Sequence, residues 1–203
     1  MRWLGRIAYA EALRLQEEIV ARKAADLESA DELLLLEHEP IFTIGRTPDQ
    51  SSLRDSGALP APVTVINRGG QATWHGPGQL VGYPLLNLRH RGADLHRHLR
   101  VLEDFVIAIC GEFGVQAGRS EGLTGVWVGP RKLASIGVGV RKWISMHGFA
   151  LNVCGALEGF DHITPCGIDG VVMTSLEREG ARGVTVAAAA RAAERLAPGC
   201  LVG

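Results

Sequence analysis

Two short stretches concentrate the side chains that do covalent and acid–base chemistry. The first is Thr164-Pro165-Cys166-Gly167-Ile168, where a cysteine stands between proline and glycine. Such neighbours hold it on a stiff turn rather than in a packed apolar stripe. A free thiol has a pKa near ~8.5 and is mostly protonated at neutral pH, so it attacks carbon only with an activating partner. The second stretch is Arg68-Gly69-Gly70-Gln71-Ala72-Thr73-Trp74-His75-Gly76-Pro77-Gly78-Gln79. Its glycines let backbone approach a ligand closely, and exposed backbone N–H groups bind an oxyanion or a carbonyl. The plain alternatives are an inert, core-filling Cys166 and an ordinary Gly-rich hairpin.

Few residues are able to activate Cys166. Of 21 basic side chains only Lys23, Lys132 and Lys142 are lysines. Arginine keeps its proton, whereas a desolvated lysine gives it up. Lys132 opens an alternating stretch with small residues at Ala134, Ser135 and Gly137, which makes it the candidate partner. The alternative is a solvated strand-end lysine. His90, His96 and His98 suggest a metal only superficially, because His-x-His on a helix points its ligands to different faces. His38 and His147 lie in or beside strands and read as satisfied core residues, with His147 also placed to line a pocket beside Gly148 and Phe149. Cys110, Cys154 and Cys200 read as inert, and no spacing suggests zinc or a disulfide framework.

These residues must be positioned by secondary structure. Apolar spacing predicts a helix over Tyr9 to Ala25, with Ala8, Ala12, Leu15 and Ile19 on its inner face. Leu33–Leu36, Ile41–Ile44, Val63–Ile66 and Leu80–Leu88 read as strands, and residues 46–62 as a loop. Asp94 is placed to cap a helix whose stripe runs from Leu95 through Leu99, Leu102, Val106 and Ile109 to Phe113. Val126–Val128 is short and apolar. Strand pattern runs on from Lys132, and again over Trp143–Val153 with Trp143, Ser145, His147, Phe149 and Leu151 sharing a face. Residues 154–172 look irregular. Thr174-Ser175-Leu176-Glu177 has capping-box spacing for a short helix, and Thr185 caps a final Ala-rich helix ending near Pro198. Clustered strands with helices before, between and after them predict an α+β fold, a mixed or antiparallel sheet flanked by helices, as one domain over 1–203.

Composition excludes several classes. With 203 residues, 46% hydrophobic, and 21 basic against 22 acidic side chains, the chain should bury roughly 70% of its unfolded surface and needs no staple. Near-neutral charge argues against a nucleic-acid binder. No apolar run approaches the ~18 residues of a membrane span, and the charged start lacks the pattern of a signal peptide. The expectation is a cytoplasmic protein with no membrane partner.

From Arg68 to Gln79 the sequence resembles the octanoyltransferase (lipoyl/octanoyl-protein transferase) family of lipoate biosynthesis. Glu37-His38, Thr43-Ile44-Gly45-Arg46, Lys132-Leu133-Ala134-Ser135-Ile136-Gly137, His147-Gly148-Phe149-Ala150-Leu151-Asn152-Val153, Pro165-Cys166-Gly167-Ile168 and Thr174-Ser175-Leu176 extend the likeness in the same order, from about residue 33 to 176. The Arg-Gly-Gly element is shared with lipoate ligases, and the Pro-Cys-Gly loop separates the transferases. Gly139 and Trp74 depart from the family's larger polar residue and its Tyr or Phe; Trp74 is expected to shape the acyl pocket.

The resemblance implies the catalytic fold of biotin and lipoate protein ligases, with Cys166 as nucleophile and Lys132 as its partner. It implies a substrate site lined by Arg68, Gly69, Gly70, Gln71, Ala72, Thr73, Trp74 and His75, by Ser135, Ile136 and Gly137, and by Gly148, Phe149 and Ala150. The donor it implies is octanoyl-acyl carrier protein. The acceptors are apo lipoyl domains of 2-oxoacid dehydrogenase complexes and the glycine cleavage H protein. No ATP, metal or other cofactor is needed, because a thioester is already activated. Ile136, Val138 and Phe149 are candidates for the acyl slot. Backbone N–H groups near Cys166, Gly69-Gly70 or Gly137 are candidates for an oxyanion site, and Arg89, Arg91, Arg97 and Arg100 for docking an acidic carrier. The rival readings are an ATP-dependent lipoate or octanoate ligase, a non-catalytic acyl- or lipoyl-domain binder, and a cysteine hydrolase using His75 or His147 as base.

Overall fold

The computed structural model describes residues 1–46, 52–53, 59–167 and 170–201, so most of the 46–62 loop lies outside the described residues. The elements in order are β1 (Arg2–Ile7), α1 (Tyr9–Ala25), β2 (Glu32–His38), β3 (Ile41–Ile44), β4 (Val63–Val65), β5 (Thr73–His75), β6 (Gln79–Leu85), α2 (Leu95–Gly111), β7 (Gly118–Ser120), β8 (Leu123–Val128), β9 (Arg131–Arg141), β10 (Ile144–Asn152), β11 (Val172–Met173) and α3 (Val186–Cys200). Single 3-10 turns lie at Leu88–Arg91, Glu158–His162 and Pro165–Gly167.

Among the described residues, seven strands run in the order β1-β2-β6-β10-β9-β8-β7, with β11 paired to β9 as the eighth. The β1–β2 and β11–β9 pairs are parallel and the rest of this sheet is antiparallel. A second, three-stranded sheet runs β4-β3-β5. The fold is therefore α+β around a mixed sheet, as the pattern of elements predicts.

Each face of the large sheet is covered by helix. On one side α1 buries Ala12, Ile19 and Val20 against Leu34, Leu36, Val81, Leu85 and Ile144. On the other, α2 contributes Leu102, Phe105, Val106 and Ile109, and α3 a run of alanines, against Leu33, Leu35, Leu80, Phe149 and Leu151. Alanine at Ala189, Ala190, Ala192, Ala193 and Ala197 lets α3 lie close to its neighbours without fixing long side chains. Asp94 and Thr185 cap α2 and α3 by accepting the Arg97 and Ala188 N–H groups.

Several local expectations are revised. Ala8 is exposed, and the inner face of α1 is carried by Tyr9, Gln16 and Lys23 as well as by Ala12, Ile19 and Val20. The strand expected to reach Leu88 ends at Leu85, and Thr73–His75 forms β5 within the supposed Gly-rich loop. Trp143 is not in a strand: with Lys142 it makes the two-residue turn between Arg141 and Ile144. The alternation of β10 is interrupted at His147, which has φ 57°; its ring meets that of Tyr83, a residue of the α1-side core. Thr174–Glu177 is a turn rather than a helix, because its N–H groups are committed elsewhere. Thr174 donates to Lys132 O, Leu176 to Asn152 O and Glu177 to Val153 O, while the Glu177 carboxylate accepts from Gly155 N–H.

Candidate active site

β9 and β10 pair so that Ser135, Ile136 and Gly137 lie opposite Ala150, Phe149 and Gly148. All six line one cavity of about 420 Å³, together with Lys132, Arg68, Gly69, Gly70, Thr73 and His75. The substrate-site residues thus converge from three separate segments, Arg68–His75, Lys132–Gly137 and Gly148–Ala150. Three residues of the first segment do not line it. Trp74 alternates with Thr73 and His75 along β5 and packs its ring on Phe42, 5.0 Å between centroids, in a separate core. Ala72 is wholly buried in that same core. Gln71 lies against the Pro165–Gly167 turn, where a Cβ on Gly167 would meet its amide at 2.2 Å. Trp74 therefore does not shape this cavity.

Arg68 is held by a directed chain of hydrogen bonds. Asn152 Nδ2 donates to Thr174 O, leaving its Oδ1 to accept from Gln79 Nε2 at 2.9 Å. Gln79 Oε1 must then accept, so His75 carries its proton on Nδ1, 2.7 Å away. His75 Nε2 is left as acceptor for the Thr43 hydroxyl at 3.4 Å. Thr43 Oγ1 and its carbonyl in turn accept from Arg68 Nη2 at 3.0 and 2.9 Å. Close backbone approach is required here: a Cβ on Gly45 would stand 2.0 Å from Gly70 O, and one on Gly137 3.1 Å from Arg68 Cδ. Gly69 N–H donates to Val138 O, so it is committed and not an oxyanion donor.

The histidines around this chain are neutral. Burial, with His38, Arg68 and His147 nearby, brings His75 down to about 3. Burial likewise brings His38 and His147 to about 4. His38 bonds Ile7 O and the Tyr83 hydroxyl, the satisfied core role expected of it. With both nitrogens engaged and its basicity suppressed, His75 is a poor general base, which removes one support of the hydrolase reading. Tyr9 Oη, Thr73 Oγ1 and His147 Nδ1 are buried and find no partner among the described residues, yet all three side chains line the cavity. Tyr9, Tyr83, Leu95 and Leu99, also on the wall, carry no sequence motif; only the tertiary fold selects them.

The three lysines have different environments. Lys142 is exposed on a turn. Lys23 is buried but ties α1 to the following loop through Ser29 O, Ala30 O and Asp31. Lys132 is 1% exposed and lines the cavity, its Nζ 5.3 Å from the Trp127 ring centroid. Space for it is made by β8, where Gly125 has φ 129° and the β8–β9 register shifts between Val126 and Trp127. A Cβ at Gly125 would sit 3.0 Å from Lys132 Cε and 2.7 Å from Ala134 O.

That irregularity is held by Glu103, a wholly buried carboxylate of α2. Its Oε1 accepts Gly125 N–H at 3.1 Å, and its Oε2 meets Arg100 and Arg119 at 2.6 and 2.8 Å. Glu103→Leu leaves the Gly125 donor buried and unpaired, an expected loss of about 2 kcal/mol measurable by urea unfolding. The same variant is expected to lower kcat while KM holds, and Glu103→Gln, which keeps the acceptor, to recover most of it. Wild-type kcat in the leucine variant would mean that Lys132 is held by its own packing.

Cys166 occupies the 3-10 turn Pro165–Gly167. Thr164 N–H donates to Ser52 O, Ser52 Oγ accepts from Ala72 N–H, and the turn packs against β5. The chain then returns in β11, where Met173 is the register partner of Lys132. Ile168 lies outside the described residues. Among the described residues no cluster of three His, Cys, Asp or Glu side chains is placed to hold a metal, and no helix is long and apolar enough to cross a membrane.

Comparison with known proteins agrees with this architecture. A lipoate-protein ligase A structure bound with ATP superposes with TM-score 0.72 at 15% identity, covering 98% of this chain and 85% of that one. A bipartite lipoate protein ligase from Thermoplasma acidophilum gives 0.68 at 15% identity, covering 98% and 82%. Residues 8–195 match the model of the lipoyl protein ligase A/B catalytic domain, which sets the class. An octanoyltransferase of Geobacter sulfurreducens is 54% identical over 92% of this chain and 77% of its own. One of Syntrophotalea carbinolica is 52% identical over 91% and 85%. Within that class the chain belongs to the octanoyltransferase family, and it is an acyltransferase.

Proposed function

We propose that this enzyme moves an octanoyl group from the thioester of an acyl carrier protein to a lysine of an apo lipoyl domain, by way of a thioester on Cys166. In the first step Cys166 sulfur bonds to the carbonyl carbon and the carrier's C–S bond breaks. Lys132 takes the Cys166 proton and returns it to the departing carrier thiolate. In the second, the acceptor lysine's amine bonds to the same carbon and the Cys166 C–S bond breaks, with the amine proton passing through Lys132 to the leaving sulfur. One thioester and one amine become one thiol and one amide, so no nucleotide enters the balance.

The observation that carries this reading is the meeting of segments around Lys132. A buried lysine faces a cavity walled partly by Leu95, Leu99, Ile136, Val138 and Phe149, and β11, which follows the cysteine-bearing turn in the chain, sets Met173 opposite that lysine. Arg68, Thr73 and the unpaired Tyr9 and His147 atoms supply polar contacts along the wall, with Arg46, Thr124 and Ser135 beside them. In this reading the three cavity-lining segments and the cysteine-bearing turn act as one catalytic unit.

Intact-protein mass spectrometry tests the proposal. Octanoyl-acyl carrier protein without ATP is expected to leave one octanoyl adduct, mapping to Cys166, that moves to the lipoyl-domain lysine when that domain is added. Domain modification that requires ATP and free octanoate, with no Cys166 adduct, would establish the ligase route instead.

A further inference from the structure

We propose that the β9–β10 turn and the adjoining start of α2 form the docking surface for the acidic carrier that delivers the acyl thioester; this rests on the transfer reading above. The turn is the first reason. Arg141 pairs with Ile144, so Lys142 and Trp143 alone make the turn, with φ 52° and 64°. Two-residue turns with both φ values positive favour Asn-Gly or Gly-Gly, because a side chain there crowds the backbone. This chain instead places a lysine and a tryptophan in those positions and leaves both exposed, the indole at 40%. The fold contributes one backbone bond there, from Leu88 N–H to Trp143 O, and such strain at an exposed site points to function.

Charge is the second reason. Arg89, Arg97, Arg141 and Lys142 are exposed, and none has an ion-pair partner among the described residues. Of the arginines expected from sequence, Arg91 and Arg100 are already paired with Asp31 and Glu103. The nearby carboxylates are Asp94, which caps α2, and Glu28, 3.6 Å from His90. A surface of this sign with an exposed indole fits an acidic protein, with the aromatic as anchor.

Continuity with the cavity is the third. Leu88 N–H donates to Trp143 O and Ala93 N–H to Leu88 O, which ties the turn to the start of α2. There Leu95 and Leu99 reach the cavity wall. Along β9, Val138 of the wall lies three residues before Arg141, about 10 Å at the strand rise. A carrier seated on the turn holds its tethered thioester within a short arm's reach of the cavity.

Two variants of the full chain test this, assayed with octanoyl-acyl carrier protein and with octanoyl-pantetheine, which has the same thioester but no protein surface. Arg141→Glu with Lys142→Glu is expected to raise the carrier KM about tenfold, hold kcat, and reduce the salt dependence of the carrier KM. Both constants for octanoyl-pantetheine are expected to stay at wild-type values. Trp143→Gly relaxes the turn, so its Tm should hold or rise while the carrier KM still increases. A carrier KM unchanged in both variants, or rising equally for octanoyl-pantetheine, would overturn the proposal. So would a rise confined to the lipoyl-domain KM, which would place the acceptor there. Wild-type enzyme that is acylated by neither donor would overturn the transfer reading itself.

Discussion

Lys132→Met is expected to slow octanoyl transfer about a thousandfold while the protein stays folded, and Cys166→Ala is expected to abolish the covalent route. Methionine matches the stem of lysine and adapts to irregular space, so the cavity wall and the contact with Trp127 largely survive. What disappears is the only cavity-lining lysine among the described residues. Lys132→Arg is expected to do no better, because a guanidinium keeps its proton. Since both residues serve the same proton and acyl movements, the double variant should be no slower than Cys166→Ala alone. Single-turnover acylation followed by mass spectrometry, with an unfolding curve for each variant, checks this. Near-wild-type acylation of a folded Lys132→Met protein would remove Lys132 from the chemistry.

Much of this site was legible in the chain because its parts are local. The glycines around Arg68, the Pro-Cys-Gly turn and the alternation after Lys132 carry their geometry in a few consecutive residues. The misread parts depend on partners far away in sequence. Trp74 sits between two cavity residues, yet strand alternation sends it to the Phe42 core, and β5 is too short and too polar to announce itself as a strand. Thr174–Glu177 has the letters of a helix start, but its N–H groups pair with β9 and with the end of β10. Glu103 reads as one more polar residue on α2; only the fold brings Gly125, and through it Lys132, against it. Gln79 and Asn152 stand in stretches the sequence singled out, but only the fold shows their amides fixing the tautomer of His75. Local geometry was readable, whereas the support behind it was assembled by tertiary contacts.

The same buried support should make the protein acid-labile. Burial lowers His75 to about 3 and His38, His98 and His147 to about 4, whereas the unfolded chain binds those protons near ~6.5. Between those values the unfolded state is the one that takes up protons. The stability from the neutral rings is therefore complete above ~6.5 and is lost as pH falls toward 4. Each histidine loses about 1.4 kcal/mol per pH unit over that window. At pH 5, about 1.5 pH units below the unfolded value, that is about 2 kcal/mol for each ring and about 8 kcal/mol for the four, comparable with the whole stability of many domains. Urea unfolding should show a flat plateau from pH 7 to 8 and a steep decline below 6.5, with His38→Gln flattening the slope. A stability unchanged between pH 7 and 5 would mean that the rings are hydrated or protonated in the native state. The decline bears on catalysis through unfolding alone: His75 stays neutral in the folded enzyme down to about 3, so the Thr43–Arg68 bonds keep their donors and acceptors. Activity is therefore expected to fall with acid along the unfolding curve, and a loss of kcat well above the unfolding midpoint would point to a different titrating group.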